Sequence, residues 1–247
     1  DPSLFFDDNG KAYIVHNDAP DQGKALYEGH RVIKIWEYDV VNDKIIPGTD
    51  KIIVDGGVDL AKKPIWIEAP HIYKKNGMYY LMCAEGGTGD WHSEVIFISK
   101  SPKGPYTPAP SNPILTQRHF PKDRANKVDW AGHADLVLGP DNKTYYGVFL
   151  AVRPNEQHRV NTGRETFILP VDWSGTFPVF VKGLVPMEPK LNMPTGVTAN
   201  KTGKDGFFPA GNFTFTDNFT ADKLDQRWIG LRGPREAFAT TTKNGLQ

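Results

Sequence analysis

Short apolar or alternating runs recur along the chain between clusters of Gly, Pro, Asn and Asp, and helical periodicity is almost absent. That pattern predicts many short strands and a mainly β fold. Clear examples are Lys11–Val15, Val32–Tyr38, Met78–Met82, Val95–Ile98 and Thr144–Leu150. Three of the runs follow one kind of turn: Asp7-Asp8-Asn9-Gly10, Lys74-Lys75-Asn76-Gly77 and Gly139-Pro140-Asp141-Asn142. Asn-Gly and Asp-Asn pairs accept the left-handed backbone that joins antiparallel strands tightly, so each marks a hairpin. The hairpins recur roughly 65 to 70 residues apart, somewhat beyond the blade repeat of familiar propellers, which predicts a β-propeller with decorated blades. A two-sheet sandwich also has many short strands, but it does not predict a repeated hairpin preceded by polar motifs.

Between Gly183 and Phe208 the composition shifts to Pro, Gly, Asn, Thr and Lys, which predicts a linker. Beyond it, Phe213–Phe219 and Arg227–Arg232 read as the opening strands of a further β unit. The expected organisation is therefore a propeller over 1–182, a linker over 183–208 and the start of a second β domain over 209–247. The chain begins at Asp1, without a methionine and at the edge of a strand motif, so it is expected to be a fragment.

Charge narrows the partners. Lys plus Arg and Asp plus Glu each number 29 among 247 residues, so there is no general attraction to nucleic acid or to an anionic membrane. No stretch approaches the roughly 20 apolar residues of a membrane-spanning helix, and no signal-peptide pattern opens the chain. The single cysteine, Cys83, lies in an apolar run and is expected to be a buried, inert thiol. Asn-X-Thr sequons at Asn142, Asn200, Asn212 and Asn218 suit a secreted protein.

Four motifs carry chemistry. In Trp66-Ile67-Glu68-Ala69-Pro70-His71 a lone carboxylate sits among apolar neighbours, where burial raises its pKa and keeps a proton available; a strand-end Glu paired to a cation is the plainer alternative. Asp1 precedes the aromatic strand Leu4-Phe5-Phe6 and is otherwise a turn residue. His133, in Trp130-Ala131-Gly132-His133-Ala134, has small neighbours that let backbone pack around it, as a satisfied core histidine also would. Arg164, in Asn161-Thr162-Gly163-Arg164-Glu165, places a guanidinium at a strand entrance, ready to clamp a carboxylate or sugar hydroxyls, or to form a surface ion pair. Trp66, Trp91 and Trp130 stand near these motifs, able either to stack on sugar faces or to pack in the core.

Together and in this order, DPSLFFDDNGKAYIV, IEAPHIYKKNGMYYLMCAEGGT, GPYTPAPSNPILT, AGHADLV and TGRETFILPVDW resemble glycoside hydrolase family 43, which includes β-xylosidases and α-L-arabinofuranosidases. DNFTADKLDQRWIGLRGPRE resembles the start of the C-terminal β-sandwich of the larger members. The resemblance implies a five-bladed propeller, partial in this chain, with a sugar pocket on its axis, and an inverting hydrolase that releases pentose from xylan or arabinoxylan. It implies Glu68 as general acid, Asp1 as the carboxylate that orients it and tunes its pKa, Arg164, His71, Trp66 and Trp130 as substrate-binding residues, and His133 as an axial histidine bound to calcium directly or through water. No organic cofactor is expected. The general base is expected upstream of Asp1, in a missing first blade, and the expected partners are plant cell-wall polysaccharide and the remainder of the polypeptide. Secretion to the medium or periplasm fits that substrate. A non-catalytic carbohydrate-binding propeller, an arabinan-degrading enzyme of the same fold and a configuration-retaining furanosidase are the competing readings. The motifs leave xylose against arabinofuranose and exo against endo action open, because loops such as 17–29 and 117–128 shape the pocket.

Overall fold

The computed structural model describes residues 1–188, 216–225, 227–228 and 239–247. Two units are present, Asp1–Asn192 and Met193–Gln247. In the first, all three expected hairpins form, and each opens a separate antiparallel sheet. Strands β1 (Ser3–Phe6), β2 (Ala12–Asp18) and β3 (Val32–Asp39) run in meander order, and both β4 (Lys44–Ile45) and β5 (Lys51–Asp55) pair with β3. A single 3-10 turn, Leu60–Lys62, leads to the second sheet. There β6 (Glu68–Lys75), β7 (Met78–Glu85) and β8 (Ser93–Ser99) form the meander, flanked by β9 (Thr107–Pro108) and β10 (Leu115–Thr116) on β8. The third sheet is β11 (Asp129–Leu138), β12 (Tyr145–Val152), β13 (Glu165–Asp172) and β14 (Val179–Phe180), in that order.

Turn chemistry accounts for the hairpins. Asn76 and Gly77 both have positive φ, 51° and 75°, the two-residue geometry whose twist matches the strands on either side. Burial accounts for the sequence of the middle sheet. Along β7, Tyr79, Leu81 and Cys83 pack with Val15, Ile33 and Ile35 of the first sheet. Tyr80 and Met82 face the other way, onto Leu136, Phe149 and Trp173 of the third. A strand buried on both faces has no polar side to show, so the run reads as continuously apolar rather than alternating. Cys83 is fully buried, as expected, and burial raises its thiol pKa well above the ordinary value, which removes it as a nucleophile.

The segment from Gly183, expected as the start of a linker, stays docked through Met187. Thr116 N donates to Gly183 O, the buried Gln117 side chain donates to Val185 O and accepts from Met187 N, and Met187 itself is buried in the core. Of the second unit, the strand expectations at 213–219 and 227–232 fall mostly outside the described residues, and residues 216–220 form no strand. Its described part holds a hairpin of β15 (Thr241–Thr242) and β16 (Gly245–Leu246), and Phe219 against Trp228, whose indole donates to Asp217. Among the described residues no helix is long and apolar enough to cross a membrane.

Candidate active site

Each of the three sheets contributes one residue to a single cluster. Asp1 lies two residues before β1, Glu68 opens β6 and His133 lies within β11, and a side-chain ligand atom of each lies within 4.8 Å of those of the other two. Side-chain bonds to the backbone stitch the first strands together. Ser3 donates to Pro70 O, joining β1 to β6, while Tyr73 accepts from Leu136 N at 2.8 Å and donates to Asp135, joining β6 to β11.

Bulges aim the residues. Between Glu68↔Ala84 and His71↔Met82, β6 carries one residue more than its partner, and β11 does the same twice, between Asp129, Gly132 and Asp135. Ala69, Trp130 and His133 have φ of 50°, 58° and 57°. A left-handed backbone on a residue with a Cβ costs on the order of 1–3 kcal/mol, and such strain tends to collect at functional sites. An extra residue per bulge reverses which face the following side chains take, so Glu68 and His133 escape the plain alternation of their strands.

Glu68 is half-buried, and burial pushes its carboxyl pKa up; the neighbouring Trp66 side chain and the positive charges of Arg164 and Arg31 pull partly the other way. Burial lowers the pKa of His133, helped by the charges of His71 and Arg164. Burial thus disfavours the charged form of both the carboxyl and the imidazole. Arg164 stands exposed just before β13, and its charge reaches Glu68, His133 and His92. His71 lies on β6 with Nδ1 3.8 Å from Asp135 Oδ1. The two tryptophans differ. Trp66 is exposed, with the Arg31 guanidinium over its ring, whereas the Trp130 indole donates to Asp90 at 2.8 Å, and Asp90 is held in turn by Lys122.

His133 Nδ1 is buried without a hydrogen-bond partner. Calcium takes about six to eight oxygen ligands, and the cluster offers two carboxylates and one imidazole. A bare ion ligated by these three alone does not fit, because they supply fewer ligands than the ion takes. A hydrated ion whose water donates to His133 does fit.

The sequence motifs missed Arg31, whose guanidinium carbon lies 3.9 Å from the centre of the Trp66 ring. They also missed Glu94 on β8 and His92 just before it, beneath the β11 bulges. Glu94 is fully buried; one oxygen accepts from Ala134 N at 2.9 Å and the other has no partner. His92 bonds through Nδ1 to Trp130 O at 2.8 Å, and Gly132 leaves room for its ring, since a Cβ there would lie 2.9 Å from it. Glu94 carries the same signal as Glu68, a lone carboxylate in an apolar run. Burial raises its pKa far above the ordinary carboxylate value, against a partial lowering by the Ala134 and His133 amides.

A stability prediction follows from that sign. With the folded pKa above the unfolded one, the folded state holds a proton that the unfolded state releases, so stability is full below about pH 4, the unfolded range, and declines as pH rises toward the folded value. Glu94→Gln keeps the acceptor for Ala134 and has no proton to lose. Urea denaturation between about pH 5 and about pH 8 should show a smaller drop in midpoint for the variant than for the parent; equal drops would exclude Glu94 as the source.

The family model for glycosyl hydrolases family 43 matches residues 1–177. A protein of Butyrivibrio fibrisolvens described as a xylosidase/arabinosidase is 35% identical over 99% of this chain and 44% of its own length. The non-reducing end alpha-L-arabinofuranosidase BoGH43B of Bacteroides ovatus is 37% identical over 71% of this chain and 31% of its own. Among solved structures, a GH43_12 protein retrieved from a capybara gut metagenome is 66% identical with a TM-score of 0.81, over 100% of this chain and 44% of that one. A xylan beta-1,4-xylosidase from Bacillus halodurans is 30% identical with a TM-score of 0.69, over 97% of this chain and 42% of that one. The chain therefore spans less than half the length of these relatives.

Proposed function

The chain belongs to glycosyl hydrolases family 43, and from that premise we propose that the protein is an inverting glycoside hydrolase that releases pentose from xylan or arabinoxylan, with Glu68 as proton donor. The observation that carries the assignment is the convergence of Asp1, Glu68 and His133 from three sheets around a carboxyl whose pKa burial raises. The printed names of the relatives, xylosidase and arabinofuranosidase, support the substrate class.

In the proposed reaction Glu68 gives its proton to the glycosidic oxygen as the bond breaks. Asp1 steadies that carboxyl and tunes it, and Arg164 holds substrate by its hydroxyls. Inverting acid and base carboxyls stand roughly 6.5–9.5 Å apart, with a water between base and sugar. Asp1 and Glu68 come closer than that, with ligand atoms within 4.8 Å, which supports Asp1 as partner of the acid rather than as base. The resemblance assigns the base to a position upstream of Asp1. His71, Trp66 and Trp130 are assigned to the walls of the sugar site. Calcium, held through water at His133, would supply a fixed positive charge beside the carboxylates.

The wider proposal is a five-bladed propeller of which the three sheets are part, followed by a linker and a C-terminal β-sandwich, in a protein secreted toward a polymeric substrate; the three successive antiparallel sheets support its first part. A second reading draws on the short Asp1–Glu68 separation, since carboxyls roughly 5–5.5 Å apart belong to retaining glycosidases. Proton NMR of the anomer first released from an aryl β-xyloside or aryl α-L-arabinofuranoside by the full-length protein decides between them. Inversion is expected. Retention would move Asp1 to the role of nucleophile, and no release of pentose from either glycoside or from arabinoxylan would leave a carbohydrate-binding propeller.

A further inference from the structure

Trp91 has no part in the reaction described so far, yet it is 65% exposed, more than Trp66 or Trp228. Strand register gives its place. Ala84 of β7 pairs with Glu68 on one side and with Glu94 on the other, so Glu94 lies about 10 Å from Glu68 across the sheet. Trp91 comes three residues before Glu94, at the sheet end that carries Glu68. A chain of sugars bridges that separation and a single pentose does not. The backbone under the indole is held in place. Trp91 O accepts from Arg118 Nη1 at 3.3 Å, and the lack of a side chain at Gly86 lets that carbonyl close in. The residues on either side are both tied to Trp130, Asp90 by accepting from its indole at 2.8 Å and His92 by bonding through Nδ1 to its carbonyl at 2.8 Å. Arg118 also lines a cavity of about 140 Å³ with Lys62, Asp59, Glu85, Pro64 and Val58.

We infer that Trp91 and Arg118 form a further sugar subsite, which takes a neutral xylose residue of the substrate's main chain beyond the pentose held at Glu68. The C–H face of the sugar lies on the indole, and its hydroxyls accept from the guanidinium. This deepens the hydrolase reading and rests on it for the choice of sugar. Core packing, the other role open to Trp91 from its motif, is set aside by its exposure. A ring on a tethered backbone loses little conformational freedom when a ligand covers it, and an aromatic surface beside a few placed polar groups is the usual make-up of a small-molecule site. Lys62 and Arg118 in the cavity wall are matched by Asp59 and Glu85, so the site has no bias toward a charged sugar.

The test is chain-length dependence in the full-length protein. Affinity for xylotetraose is measured by titration calorimetry in the Glu68→Gln background, alone and combined with Trp91→Ala, Trp91→Phe or Arg118→Met. With Glu68 in place, KM is measured on an aryl β-xyloside and an aryl α-L-arabinofuranoside, which carry one pentose each. Trp91→Ala should weaken xylotetraose about tenfold, Arg118→Met should weaken it by a smaller factor, and Trp91→Phe, which keeps a ring, should retain most of the affinity. The loss on xylotetraose should exceed any rise of KM on the aryl pentosides by about the same tenfold. Unchanged affinity in Trp91→Ala, a parent background that does not bind xylotetraose, or an equal loss on the aryl pentosides would overturn the subsite. So would a lowered urea midpoint with unchanged affinity, which would put Trp91 beneath another part of the polypeptide. Failure of the hydrolase reading looks different: the protein with Glu68 in place then cleaves neither pentoside, and the calorimetry still decides whether Trp91 and Arg118 hold the sugar chain.

Discussion

Glu68→Gln should leave pentoside binding intact and lower turnover on natural glycosides by roughly 10²- to 10⁴-fold. The amide matches the carboxylic acid in size and shape, so the walls of the site are unchanged. What disappears is a proton that can be transferred as the glycosidic bond breaks, a contribution made in the transition state and not in the ground state, so kcat falls and KM does not. The pH dependence carries a sign. Burial raises the Glu68 pKa above the ordinary carboxylate range, so the acid stays loaded at a pH where an exposed glutamate has ionised, and kcat falls as pH rises through the shifted value. In the variant that alkaline limb should vanish with the activity. Turnover near the parent level, or an unchanged alkaline limb, would end the assignment.

Gly86→Ala should destabilise the first unit by about 3 kcal/mol or more. Gly86 follows β7 with φ 100°, and an added Cβ would lie 2.1 Å from the carbonyl oxygen of Trp91 and 2.6 Å from its carbon. Those are backbone atoms of the loop that turns into β8, and they cannot rotate away as a side-chain tip could. Gly86 N also donates to Ile65 O at 2.9 Å, so displacing it disturbs the segment that leads to Trp66 and Glu68. Gly89, in the same loop, has negative φ and nothing within 4 Å of its added Cβ, which makes Gly89→Ala the control. Urea midpoints that coincide for the two variants would contradict the argument.

Local chemistry made much of this fold legible. Asn76-Gly77 specifies its hairpin without outside help, and the apolar run of β7 announces a strand buried on both faces. Glu68 stood out because its apolar neighbours are adjacent in sequence. What escaped was set by partners distant in the chain. The bulges at Ala69, Trp130 and His133 arise from strand register, which composition does not state. Arg31 meets Trp66 only because two sheets place them together. The Pro-rich segment from Gly183 reads as a linker because proline excludes regular structure, yet irregular backbone can still dock, as the bond between Met187 N and the Gln117 side chain shows. Glu94 was overlooked although it offers the signal that singled out Glu68; in a seven-residue strand a carboxylate more readily suggests a solvent-facing position than a buried one.

Asp1, Glu68 and His133 come from three separate ladders, whose mutual alignment is set by the apolar cores packed between them and by a few side-chain stitches rather than by shared backbone hydrogen bonds. A slip of one ladder past the next by a single residue, about 3.3 Å, would scatter the triad while every backbone ladder stayed intact. The site is thus a vernier for the whole assembly: heat or denaturant can silence it while circular dichroism still reports native strands.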